Sequence, residues 1–383
     1  MKKYLYLIVM AAAVATGCTK SGLIESPQSQ SAPISFDPYL GKVPVTKAAN
    51  SDLAFLQAAI TSDLNSGGFQ VYAFPHGTNN AAPTTFTATY MNEEVWWESN
   101  KWEYDKVTYW PEGMQLAFAA FGLNASKGGC LVSNNGSLVE YTFSVKENVS
   151  EQVDLIVAPY QTGLSTGNVT LNFKHLLSRV GFKILASDAT QGVDIAIRSI
   201  KLCGDFKTTG TIDITKLGDD GLPYIENQSG EEDEYMLFED ADCFKIASTE
   251  CSTTAQPIYP NVTLDGSTYK DKYIQGDDES AEDFAARKAE AIAAAKNNRY
   301  MMIMPGTMPA SKSESYIEVQ YQLTSDQVRT AKVEIPSFVF TQGYAYEFIL
   351  KVSTSAIVFD AEMTEDWSDP VGPTNPLPLT PAV

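Results

Sequence analysis

Histidine is nearly missing from this chain of 383 residues, with only His76 and His175 present. Cysteine is scarce too: there are five, and no two stand in a CxxC spacing. A zinc centre built from clustered Cys and His therefore lacks ligands. No GxSxG elbow, HExxH, Walker loop or GxGxxG occurs, which removes the usual signatures of esterases, metalloproteases and nucleotide binders. Positive charge is also short. Lys and Arg number 27 against 47 Asp and Glu, for a formal net charge of −20. Such a surface repels phosphate backbones and anionic leaflets, so nucleic acid is excluded as a partner and electrostatic membrane docking does not fit. Beyond the first residues no run of eighteen apolar residues appears, so nothing later in the chain spans a membrane as a helix. Acids are abundant, yet no spacing singles out a carboxylate pair for glycoside hydrolysis. The chain reads as a non-enzyme, with no metal and no cofactor.

What is present begins with an export signal. Lys2 and Lys3 precede an apolar run, Tyr4 to Ala15, too short for a permanent span. Ala15, Thr16 and Gly17 lead directly to Cys18. A small residue before a cysteine is what lipoprotein processing requires, so residues 1–17 read as a lipoprotein signal and Cys18 as the lipidated residue. Losing Lys2 and Lys3 takes the processed chain to −22. Attachment to the membrane then rests on the lipid at Cys18. Thr19 to Pro33 is rich in Ser, Gln and Pro and reads as a flexible tether. Four cysteines remain, Cys130, Cys203, Cys243 and Cys251. A disulfide between Cys243 and Cys251 and buried thiols are both open.

Past the tether, Ile34–Phe36 is strand-like, Leu40–Gly41 turns, and Lys42–Val45 extends again. Ser51 to Leu64 places Leu53, Leu56, Ile60 and Leu64 on one face, which predicts a helix stopped by Gly67–Gly68. From Phe69 the period becomes two. Phe69, Val71 and Ala73 alternate with partly apolar neighbours, predicting a strand covered on both sides. Phe86–Tyr90, Leu116–Phe121, Val139–Val145 and Asp154–Ala158 continue as predicted strands. Pro159 to Asn168, with its Pro and Gly residues, reads as the seam between two halves, 48–166 and 167–367. After it come Val169–His175, Val180–Ile184, Val193–Ile197, Ile200–Leu202 and Thr211–Ile214, with a phase slip between Ile197 and Ile200 that predicts a bulge.

Residues 218 to 300 break the alternation and read as a long surface insertion. It holds one helix, Ser280 to Lys296, opened by a Ser280–Asp283 capping pair. Tyr300–Met304 and Ile317–Leu323 return to strands. The clearest β signal is the closing hairpin: Tyr344, Tyr346, Phe348, Leu350 and Val352 share a face, then Ile357, Phe359, Ala361 and Met363, up to Trp367. Ser368 to Val383 holds five prolines, which predicts no ordinary paired strand there. Many short strands with turn-rich joints make the fold class all-β, as two β-sandwiches in tandem with the helical insertion in the second.

Three clusters carry possible chemistry. His175 shares the apolar phase of Val169–His175 and reads as a core or seam histidine; His76, in Phe74-Pro-His-Gly77, reads as a turn residue. Asp219, Asp220 and Glu231–Glu234 lack the oxygen-ligand register of a calcium loop and read as a solvated acidic loop. Trp96, Trp97, Trp102 and Trp110 put four of five tryptophans within fifteen residues. They read either as a hydrophobic edge of the first sandwich or as a stacking platform for sugar rings, which would make the chain a surface glycan-binding lipoprotein.

Lys101-Trp-Glu-Tyr-Asp105, Val107-Thr-Tyr-Trp-Pro111 and Leu116-Ala-Phe-Ala-Ala-Phe121 resemble the fimbrillin family of Bacteroidetes, the type V pilins and their relatives. So do Leu171-Asn-Phe-Lys-His-Leu-Leu-Ser-Arg-Val180, Met302-Ile-Met-Pro305 and Gln342-Gly-Tyr-Ala-Tyr346 through Trp367. The resemblance implies two transthyretin-like β-sandwich domains and export as an outer-membrane lipoprotein that later stands at the cell surface or in a fimbrium. It implies a stalk, tip or anchor role, with other fimbrial subunits as partners. It also implies that a trypsin-like protease cuts after a basic residue behind the first strand, and that a neighbour's strand fills the vacated groove by strand addition. The matching residue here is Lys47, with Lys42 second, which makes 18–47 the tether plus a removable first strand.

Overall fold

The computed structural model describes residues 32–40, 53–86, 89–187, 192–239, 243–260, 263–264, 267–268, 275–276, 278–295, 299–307, 315–324, 327–335, 339–353, 357–364 and 375–376. The signal at 1–17, Cys18, Lys42 and Lys47 lie outside the described residues. The strands in chain order are β1 (Ser35–Leu40), β2 (Phe69–Pro75), β3 (Met91–Glu98), β4 (Lys101–Glu103), β5 (Leu116–Gly122), β6 (Leu131–Ser133), β7 (Glu140–Ser144), β8 (Ile156–Leu164) and β9 (Asn168–His175). Then come β10 (Ser178–Ala186), β11 (Asp194–Phe206), β12 (Thr209–Leu217), β13 (Pro223–Ser229), β14 (Glu232–Phe238), β15 (Phe244–Ala247), β16 (Gln256–Pro257), β17 (Thr263–Leu264) and β18 (Ser267–Thr268). The rest are β19 (Tyr300–Ile303), β20 (Gly306–Thr307), β21 (Tyr316–Leu323), β22 (Arg329–Glu334), β23 (Val339–Phe340), β24 (Ala345–Val352), β25 (Ile357–Thr364) and β26 (Asn375–Pro376). Helices are short or single: α1 (Leu53–Leu56), α2 (Leu123–Lys127) and α3 (Ala281–Ala295). The fold is all-β, and no described helix is long and apolar enough to cross a membrane.

The first sheet has the order β1-β9-β8-β5-β2-β3-β4. Its central strands are covered on both sides, as the mixed alternation of 69–74 predicts. Phe69, Val71, Ala73, Leu116, Phe118 and Ala120 enter one core cluster together with Ile34, Phe36 and Leu40. Tyr72, Phe74, Ala117, Ala119 and Phe121 enter a second, larger cluster. The alanines of β5 allow close layering on both faces, and every residue of that strand is buried.

The larger cluster is enclosed by three more sheets, β13-β12-β7-β6, then β16-β10-β24-β25-β26 with β19 on β10, then β14-β11-β21-β22 with β15 on β11. The closing hairpin pairs as predicted, from Ala345↔Thr364 to Val352↔Ile357. The slip between Ile197 and Ile200 is a bulge inside β11, which shifts register against β21 between Ile197 and Ser199 and so keeps Ile195, Ile197, Ile200 and Leu202 all buried. Helix α3 opens with Ser280 as predicted: its Oγ accepts from Asp283 N at 3.1 Å and donates to the Asp283 carboxylate at 2.7 Å.

Five expectations need correction. The helix over 51–64 is only α1, because Thr61, Asp63 and Ser66 capture the following backbone: Asp63 accepts from Asn65 N and Ser66 Oγ from Thr61 N. Gly67 then lies so close to Ala58 that a Cβ would stand 2.0 Å from its carbonyl oxygen. Of the strand expected at 86–90, residues 87 and 88 lie outside the described residues, and the strand described next begins at Met91. The seam at 159–168 is not a break: β8 runs through it to Leu164, and β9 completes the first sheet, since Val169, Leu171 and Phe173 find their core beneath β1 and β2. In the other direction β7, in the half expected to be the first sandwich, pairs with β12 in the second, so ladders cross the 166/167 boundary. The surface insertion over 218–300 carries strands of the main sheets up to Pro257: β13 pairs β12, β14 and β15 pair β11, and β16 pairs β10. Tyr235 and Leu237 of β14 are buried while its acids line an edge, a pattern that charge hides from a simple alternation reading. Last, the proline-rich tail does pair, briefly, where Asn375–Pro376 lies against Glu362–Met363 on an edge strand, the place a sheet tolerates proline.

Candidate functional site

The first strand is held in a slot by two kinds of backbone contact. Ala32–Ile34 lies antiparallel to 108–110: Ile34 N donates to Thr108 O at 2.8 Å, Trp110 N donates to Ala32 O at 3.0 Å, and Pro33 bridges Tyr109. The chain then turns parallel to β9, from Ser35↔Asn168 to Leu40↔Phe173. Ser35 Oγ donates to Asn168 Oδ1 at 2.6 Å, which fixes the register at one end. Tyr104 Oη donates to Ile34 O at 2.6 Å; burial pushes that phenol's pKa up, so it keeps its donor proton.

Side chains alternate strictly. Phe36, Pro38 and Leu40 point inward, while Asp37 and Tyr39 point to solvent. Ile34 is 1% exposed, Leu40 4% and Phe36 6%. Phe36 meets Phe69, Tyr104 and Phe118 edge-on. β1 is an edge strand of its sheet and, among the described residues, the only strand of it that lies before Lys47 in sequence. What it covers is apolar: Val169, Leu171 and Phe173 of β9, Phe69, Phe118 and Trp110. Taking β1 away would open a sheet edge and an apolar trough together, the combination to which an extended strand adds most readily.

Two of the tryptophans, Trp110 and Trp102, line the trough. Trp110 is 4% exposed; its Nε1 donates to Gly167 O at 3.1 Å and its ring stands 5.8 Å from Phe118. Trp102 packs on Phe69 and on Trp97. Trp96 and Trp97 are half-buried, and Trp96 Nε1 donates to Glu98 at 3.3 Å. Burial removes Trp110 from any sugar platform, and Trp102 is spent on core contacts. Tyr104 and Thr108, which the composition does not highlight, grip the start of the strand, both at the backbone of Ile34.

The remaining candidates serve the interior. His76 follows β2 and is buried: its Nδ1 donates to Asn80 O at 2.8 Å, and its Nε2 accepts from Gly163 N at 3.1 Å, so its tautomer is set by its neighbours. His175 Nδ1 meets Asp154 Oδ2 at 2.5 Å, both buried. Arg179 and Arg299 flank the ring of Tyr300 at 3.9 and 4.4 Å, and Arg299 also pairs with Glu347. Of the acidic cluster, Glu234 pairs with Lys201 and Glu231 with Lys207. Cys130, Cys203, Cys243 and Cys251 are buried thiols. Among the described residues no group of three or more His, Cys, Asp or Glu could hold a metal ion.

A fimbrillin-like family model matches residues 58–367, most of the chain and all of the trough except the strand that fills it. The chain belongs to the fimbrillin-like family. Among solved structures this fimbrillin-like chain is similar to a fimbrial protein from Bacteroides vulgatus, 18% identical over 88% of this chain and 99% of that one, with a TM-score of 0.52. A putative cell adhesion protein from Bacteroides ovatus is 14% identical over 89% and 99%, with a TM-score of 0.49. At such identity the likeness to the Bacteroides vulgatus protein speaks for the fold alone. No curated protein matches at a significant level. Family membership supports a structural, non-enzymatic role in fimbriae at the cell surface, among other fimbrial subunits.

Proposed function

We propose that this fimbrillin-like chain is exported as a lipoprotein on Cys18 and matured by a trypsin-like cut after Lys47, or second after Lys42. The lipid and β1 leave together, and a strand from a neighbouring copy fills the trough. The observation that carries this reading is the burial of Ile34, Phe36 and Leu40 in a core whose other members all come after Lys47. Fully burying an aliphatic or aromatic side chain stabilises by about 1.5–3 kcal/mol each, so three such anchors make the emptied trough a strong acceptor. The chain also carries a matching strand. Leu377, Leu379, Pro381 and Val383 repeat the spacing of Ile34, Phe36, Pro38 and Leu40, with proline at the same place. This makes Leu377–Val383 the donor strand.

N-terminal sequencing of protein sheared from cells tests the cut, with Ala48 as the expected first residue. Heat-resistant oligomers on gels test the exchange. A surface form that still begins at Cys18 and never forms such oligomers would overturn the proposal.

A further inference from the structure

The trough has a mouth, and the surface there carries large uncharged side chains. Val107 is 55% exposed, Tyr109 48% and Tyr90 38%. They form one face. Along 107–110 the side chains alternate, with Thr108 and Trp110 turned inward and Val107 and Tyr109 outward. Tyr90 Oη donates to Tyr109 O at 2.7 Å, which ties the third residue to the other two. Pro33 bridges Tyr109 at the same end. Grouped exposed apolar side chains mark contact sites. In a chain of net charge −20, two copies repel over most of their surfaces, so contact between them needs an uncharged face.

Polarity says what arrives there. β1 runs parallel to β9, so a strand that takes its place in the same sense brings its upstream residue to the position of Pro33. With Leu377 in place of Ile34, that upstream residue is Pro376. Pro376 is already fastened to its own molecule, opposite Glu362 on β25, with Asn375 opposite Met363. One extended residue spans about 3.3–3.6 Å. No slack is left between the acceptor's trough and the donor's β25–β26 edge, so that edge must stand against the acceptor's mouth.

We propose that the Tyr90–Val107–Tyr109 face is the docking site for the β25–β26 edge of a second copy of this chain. The proposal rests on the strand-exchange reading above. The test compares the full chain and its Val107→Glu variant, each cut by a trypsin-like protease, in two assays: binding of a synthetic Leu377–Val383 peptide, and growth of heat-resistant oligomers. Val107 is exposed and lies outside the slot's backbone contacts, so peptide binding should stay within about twofold. Oligomer growth should fall by at least about tenfold, because the added charge meets a like-charged copy. Inserting a short Gly/Ser linker between Pro376 and Leu377 of the variant should restore growth, since the strand then reaches the trough without seating the edge. Oligomer growth at the wild-type rate in the variant would overturn the proposal, as would a loss of peptide binding as large as the loss of growth. Failure of the cut wild-type chain in both assays would instead remove the strand-exchange reading itself, and the docking face with it.

Discussion

Phe36→Ala in the uncut chain is the sharpest probe of the slot. Phe36 is 6% exposed, and its ring stands 5.9 Å from Phe69, 5.8 Å from Tyr104 and 6.4 Å from Phe118, centroid to centroid. Truncating a core phenylalanine costs about 3–5 kcal/mol, part of it lost transfer free energy and part the cavity left behind. Three edge-on ring contacts go as well, each worth about 0.5–1.5 kcal/mol beyond area burial, so the upper half of that range is expected. With a urea m-value of about 3 kcal/mol/M, the unfolding midpoint falls by about 1.3–1.7 M. Tryptophan fluorescence reads this directly, because Trp102 lies 5.3 Å from Phe69 and Trp110 lies 5.8 Å from Phe118. If, as proposed, a cut after Lys47 releases β1, the substitution should have no effect on the cut chain, which then lacks residue 36. An uncut variant whose midpoint stays within about 0.3 M of the wild type would refute the packing argument.

Two further outcomes follow from the interior. Burial pushes the Asp154 carboxyl up, with His175 and Arg179 pulling the other way. The fold then holds a proton that the unfolded chain releases near 3.8, so this contribution to stability is full below that value and is lost as pH rises through the folded pKa. Asp154→Asn should flatten that decline in urea midpoints taken from about pH 3 to about pH 7; identical pH slopes in the two chains would count against it. Gly181→Ala would place a Cβ 2.6 Å from Cε1 of Tyr300, whose ring is held between Arg179 and Arg299 and has no room to swing. A loss of about 1–3 kcal/mol is expected by calorimetry, and an unchanged melting temperature would show that the ring can move.

Local order was legible in the sequence where neighbours along the chain decide it. The hairpin of β24 and β25 announces itself through uninterrupted alternation, α3 through Ser280 and Asp283, and the bulge in β11 through its phase slip. The helix expected over 51–64 failed on equally local grounds, because side chains of Thr61, Asp63 and Ser66 compete for the backbone. The strands between 223 and 257 escaped because their partners, β10, β11 and β12, are set by long-range pairing and their own edges are charged or short.

The opening segment shows the division most clearly. Its residues alone display the signal-like pattern that leads to Cys18 and the apolar spacing from Ile34 to Leu40. They could not determine where that spacing would be used, since its partner begins at Asn168, 133 residues beyond Ser35. Only the tertiary structure placed β1 parallel to β9 over Phe69, Phe118 and Trp110. Period is a property of a strand's own side chains, whereas the choice of partner depends on which distant edge and which uncovered core the folded chain leaves for it.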